Sequence, residues 1–190
     1  VNTATDYDFD FSKFPPYLKF DGVDDSMYSA ASIDFTSTDK MTVFAGVHKA
    51  NTSPGIVIEA SALSDTTDGS FSYVVGGWAD TREYFSTRGT VNRFPIFTVA
   101  PPATSVLSAA SDISGDLIAV RANGVQVINS PGDLGTGNFG NYPLYIGRRN
   151  NAGSPFNGRI YQLALKGKSM SAAEISTVES FINSKTKAFV

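Results

Sequence analysis

Four glutamates are the residues from which sugar-cleaving chemistry would have to be built: Glu59, Glu83, Glu174 and Glu179. A retaining glycosidase places two carboxyl groups about 5 Å apart, one as nucleophile and one as acid and base. On a strand, acidic residues two positions apart share a face and meet that requirement. No glutamate here has a carboxylate two residues away. Glu59 lies in VIEAS, Glu83 has Asp80 three residues before it (a turn spacing), and Glu174 and Glu179 lie in a helical stretch. The chain is therefore not expected to be an enzyme of this kind. The single histidine, His48, would need a nucleophile beside it, and no Gly-x-Ser-x-Gly elbow exists. With one histidine and no cysteine, a zinc cluster cannot be assembled. GTGNFG has no Lys-Ser/Thr after it and opens no helix, so it is a loop and not a phosphate cradle.

Oxygen ligands for a hard cation are more plentiful. Asp21, Asp24 and Asp25 cluster in FDGVDD, Asp65 and Asp68 in SDTTDG, and Asn150 and Asn151 in RRNNAG. None has the spacing of a twelve-residue calcium loop. FDGVDD reads either as a calcium site or as a turn, with Asp21-Gly22 at the bend and Asp24 and Asp25 capping local amides.

A sugar-binding surface calls for exposed aromatic faces beside planar polar groups. GGWADTREYFSTRGT supplies Trp78, the only tryptophan, with Arg82, Tyr84 and Arg88. GNFGNYP and IGRRNN add Asn138, Asn141, Tyr142, Arg148 and Arg149. The candidate ligand contacts are Trp78, Arg82, Tyr84, Tyr142 and Arg148. Tryptophan and tyrosine give contact area at low entropic cost, and arginine a rigid donor fork. The same types serve equally as anchors between subunits. Both readings stand at this level.

The elements that position these residues are mostly strands. The chain has 190 residues, 42% of them hydrophobic, enough for one domain with a core. Its 17 glycines and nine prolines suit many short strands joined by turns. A net charge of −3 without a basic run argues against nucleic acid as a partner. No apolar run is long enough for a membrane span. The opening VNTATDYDFDF does not read as a leader peptide, and Val1 reads as either a processed end or a boundary within a longer protein. Residues 1–16 alternate acidic and aromatic residues and read as an edge strand or a linker; residues 17–190 are expected to form the domain. KMTVFAGVHK puts Met41, Val43, Ala45 and Val47 on one face, GIVIEASA turns Glu59 outward, and GSFSYVVGG aligns Phe71, Tyr73 and Val75. EYFSTRG and FPIFTV are expected to be short, with Pro95 at a strand start or an edge. Asn123-Gly124 marks a two-residue hairpin. Only the end is helical: Ser171 and Glu174 make a capping box, and Ile175, Val178 and Ile182 form a stripe with Phe181 beside it.

YLKFDGVDDSM resembles the Phe-Asp-Gly-x-Asp-Asp opening of laminin-G-like, concanavalin-A-like jelly-roll domains. PFNGRIYQLALKGKSMSAAEISTVESFIN resembles their close, and LGTGNFGNYPLYIGRR their penultimate strand and its lead-in. The wording is most similar to modules of tailed-phage structural proteins. The resemblance spans roughly residues 17–186. It implies an all-β, two-sheet antiparallel jelly-roll sandwich with one C-terminal α-helix. It makes calcium at Asp21, Asp24 and Asp25 the metal to consider. The glucanase branch carries Glu-x-Asp-x-Glu on one strand, which this chain lacks. The implied setting is a virion, as a non-catalytic module of a tail, spike or capsid-associated protein. The expected partners are host surface polysaccharide or glycan and other virion subunits, with a homo-oligomer as one arrangement. The alternative is a purely structural or oligomerisation domain with no carbohydrate ligand.

Overall fold

A computed structural model describes residues 15–61, 63–77 and 80–190. In chain order the strands begin with Leu18–Asp21 (β1), Met27–Tyr28 (β2), Ile33–Asp34 (β3), Lys40–Lys49 (β4) and Gly55–Ala60 (β5). Phe71–Gly77 (β6), Asp80–Arg88 (β7), Asn92–Arg93 (β8), Ile96–Thr98 (β9) and Ala103–Asp112 (β10) follow. Leu117–Ala122 (β11), Val125–Pro131 (β12), Asn141–Tyr142 (β13), Leu144–Ile146 (β14) and Asn157–Lys166 (β15) lead to the helix Ala172–Thr186 (α1).

The strands build two antiparallel sheets. The first runs β1-β15-β4-β10-β11-β12. The second runs β2-β14-β5-β6-β7-β8, with β9 also on β7, and β3 and β13 make a small separate ribbon. The fold is the all-β jelly-roll sandwich with a C-terminal helix. Alternation explains the core. Met41, Val43, Ala45 and Val47 of β4 face Phe71, Tyr73 and Val75 of β6 across the sandwich, all buried. Asn123 and Gly124 have φ of 52° and 77°, the left-handed pair that a tight hairpin requires. Pro95 stands directly before β9, where its missing N–H breaks no ladder.

The helix lies on the outer face of the first sheet. Ser171 Oγ accepts the amide of Glu174, and Glu174 Oε2 accepts the amide of Ser171 at 2.8 Å. Ile182 packs on Phe44 and Val106, with Ile175 and Val178 beside it. Gly46 permits this approach, since a Cβ there would lie 2.5 Å from Ile182 Cγ2. Two details differ from the sequence reading. Phe181 is exposed and lies under the Lys185 ammonium at 4.8 Å, while the buried neighbour of the stripe is Glu179, paired with Arg121 and Ser108. β7 is also longer than EYFSTRG suggested, reaching nine residues because β6 pairs along it.

Candidate functional site

The outer face of the second sheet carries one continuous cross-strand row. Tyr28 pairs with Tyr145, Tyr145 with Glu59, Glu59 with Ser72, and Ser72 with Ser86. Directly opposed residues point to the same side. Their strand neighbours Leu144, Ile58, Ala60, Phe71, Tyr73 and Phe85 turn to the core. A second row, Val74, Tyr84 and Ile96, runs beside the first.

Over Ser72 and Ser86 this face opens into a pocket of about 270 Å³. Tyr84 joins the two serines at the floor, and Asn92, Phe94, Ile96, Arg82, Asp65 and Arg149 surround it. The Tyr84 and Phe94 rings meet edge to face, 6.1 Å between centroids. Burial raises the Tyr84 hydroxyl above its ordinary pKa, so it stays a neutral donor and acceptor. Ser72 is fully buried, yet its Oγ has no hydrogen-bond partner among the described residues. A buried hydroxyl without a partner is costly.

Arg149 is the polar centre of the wall. Its Nε donates to Glu59 Oε2 at 3.0 Å, and the glutamate's other oxygen accepts the Ser64 amide at 2.9 Å. Burial works against the Arg149 charge, but the Glu59 carboxylate outweighs it and raises its pKa. The terminal nitrogens make no hydrogen bond among the described residues, leaving a fork of donors at the pocket.

Neither glutamate of the strands is arranged to cut a sugar. Glu59 faces outward under Arg149. Glu83 faces inward, where Lys49 Nζ lies 2.8 Å from it and both side chains are 2% exposed. The sheet separates them. His48 Nδ1 lies 2.9 Å from Thr104 Oγ1, its cross-strand neighbour, with no carboxylate orienting the ring among the described residues. Burial, then the Arg159 charge, lowers its pKa.

Asp21, Asp24 and Asp25 do converge, with carboxylate oxygens within 4.8 Å of one another. They could supply three carboxylates to a calcium ion, with backbone or water oxygens completing its six to eight ligands. Asp21 Oδ1 accepts the Val23 amide at 2.7 Å, and Asp25 Oδ2 accepts the Asp21 amide at 2.8 Å. The Arg148 guanidinium also reaches Asp24 O at 3.5 Å and already brings positive charge to the turn.

Of the five candidate ligand contacts, Arg82 and Tyr84 line the pocket. Trp78 lies outside the described residues. Tyr142 and Arg148 are not in the lining: the Tyr142 hydroxyl donates to Asp68 O at 2.7 Å, and Arg148 Nη2 to Ala152 O at 3.1 Å. Of the Arg148–Arg149 pair it is Arg149 that lines the pocket, with Arg82. Strand alternation cannot be counted across Gly147, whose φ is +81°. Ser72, Phe94 and Ile96 also line the pocket, and no local pattern marked them as lining residues.

No family model and no curated protein matches this sequence. Solved structures do. A SAP-like pentraxin from Limulus polyphemus superposes with TM-score 0.67 at 13% identity, over 86% of this chain and 81% of that one. Botulinum neurotoxin type C, whose cell entry depends on interaction with two ganglioside molecules, gives 0.69 at 9%, over 93% and 45%. The NanB sialidase from Streptococcus pneumoniae gives 0.62 at 17%, over 83% and 27%. This chain thus spans under half of the toxin chain and about a quarter of the sialidase. At these identities the likeness is one of fold: a concanavalin-A-like, laminin-G-like jelly roll.

Proposed function

We propose that this domain is a non-catalytic glycan-binding module and that the pocket at Ser72 takes a carboxylate-bearing sugar. The observation that carries this is a pocket over Ser72 and Ser86 edged by the oriented Arg149 guanidinium and the Tyr84–Phe94 rings. The rings offer apolar faces to ring carbons. The Arg149 fork, locked in orientation by Glu59, suits a planar carboxylate. Asp65 and Asn92 are placed to accept or donate to hydroxyls. The ganglioside named for the neurotoxin neighbour supports a glycan as the ligand class. Trp78, two residues before β7, stays a proposed contact beside Arg82 and Tyr84.

The proposed setting is the surface of a virion, in a tail, spike or capsid-associated protein, with host surface glycan as the partner. The motif resemblance at both ends of the domain supports it. Calcium has no part in this reading; the Asp21–Asp25 turn is proposed to hold itself.

The test is a glycan array of acidic sugars alongside their methyl esters. Binding is expected for the acids, lost on esterification and in Tyr84→Ala, and weakened in Arg149→Lys. An array without any binder overturns the reading.

The second reading is a structural or oligomerisation domain. Phe94 and Ile96, 50% and 41% exposed at the rim, favour it, since such apolar side chains also seat against a neighbouring subunit. It predicts an oligomer in sedimentation that Phe94→Asp dissociates.

A further inference from the structure

We infer that the Tyr28–Tyr145 pair is a second sugar-stacking site, so that the bound glycan is a chain of several sugars laid across the strands and not one terminal residue. This rests on the pocket reading above. The two rings are stacked, 6.2 Å between centroids and 27° between planes. Tyr28 is 61% exposed, although half of the described aromatic side chains are buried. The pair does not serve the core. Leu144 is buried and Ile146 packs on the core, so alternation turns Tyr145 outward.

What places the pair in the same binding surface is register. Tyr28, Tyr145, Glu59, Ser72 and Ser86 are successive partners on five neighbouring strands. Tyr145 is two strand spacings from Ser72 and Tyr28 is three, or about 10 and 14 Å. One pyranose cannot reach both the pocket and the tyrosines. Between them lies Glu59, fully buried beneath Arg149, so the arginine stands along the line from one site to the other. Tyrosines clamped side by side by a two-residue ladder lose little freedom on binding, which favours them as a platform for sugar faces.

Isothermal titration calorimetry with two size ladders tests this: oligogalacturonides of one to six residues, and N-acetylneuraminic acid with its sialylated di-, tri- and tetrasaccharides. In the wild type, affinity is expected to rise roughly fivefold to tenfold between one sugar and four, the gain expected of one or two ring contacts. Tyr28→Ala with Tyr145→Ala is expected to flatten the ladder while leaving monosaccharide affinity unchanged. Tyr28→Ala alone, at the more exposed ring, should flatten it in part with an unaltered melting temperature. A ladder already flat in the wild type, or still steep in the double variant, overturns the inference and leaves the pocket reading standing. Failure of every sugar to bind at any length overturns both.

Discussion

Arg149 Nε lies 3.0 Å from Glu59 Oε2, and the glutamate beneath it has no exposed surface. The contact ties the loop after β14 to β5 and aims the guanidinium at the pocket. Removing the arginine would strand a buried carboxylate, and breaking buried pairs in this way costs about 3–5 kcal/mol. Arg149 keeps a quarter of its side chain exposed, so Arg149→Ala is expected at the lower end, read by urea denaturation. Arg149→Lys should keep most of the stability but lose ligand affinity. Equal loss of both in the lysine variant would mean that the fork has no role in recognition.

The Lys49–Glu83 pair offers a different test, because both partners are 2% exposed. Lys49 Nζ also donates to Val99 O at 2.7 Å, while Glu83 Oε2 has no partner among the described residues. Lys49→Met alone is expected to cost about 3–5 kcal/mol by leaving the carboxylate unpaired. Lys49→Met with Glu83→Leu should recover most of that loss. Additive losses in the double-mutant cycle would show that the two are not coupled.

Glu83 also sets a pH dependence. Burial raises its pKa, and Lys49 only partly offsets this. A raised carboxylate binds its proton more tightly folded than unfolded. Its contribution to stability is therefore full below the ordinary carboxylate range and is lost as pH rises through the raised value. Stability measured in urea across that range should fall more steeply with pH in the wild type than in Glu83→Gln. Parallel profiles would refute the shift.

Glu174 behaves in the opposite sense. The Lys168 ammonium at 2.7 Å, then the Ser171 amide and hydroxyl, hold its pKa down at about 2. Its stabilising effect is present above the ordinary value of 4.5 and is lost as pH falls through the depressed one. An NMR titration of the Glu174 carboxyl carbon should place its midpoint near that depressed value, and Ser171→Ala should raise it. An ordinary midpoint in the wild type would mean that the capping box is open in solution.

Because Asp21 and Asp25 already bind the amides of their own turn, chelator should leave the melting temperature unchanged. A ligand that binds only the folded state raises that temperature. A rise on adding calcium that Asp24→Asn abolishes would assign the ion to this turn after all.

Much of the architecture was legible residue by residue. Alternation placed Met41, Val43, Ala45 and Val47 inward and Glu59 outward, because a strand's period of two is a local property. Asn123-Gly124 and the Ser171–Glu174 box announced their turn and cap for the same reason: the interactions close within a few residues. The pocket was not legible in this way. Glu59 and Arg149 are 90 residues apart, and their meeting depends on β14 lying beside β5, a pairing that no local pattern states. The choice between Arg148 and Arg149 turned on the left-handed backbone at Gly147, which resets the alternation just before them. Which sides the strands present is written along the chain. Which strands become neighbours, and so which side chains share a pocket, is decided by long-range pairing and packing of the whole sandwich.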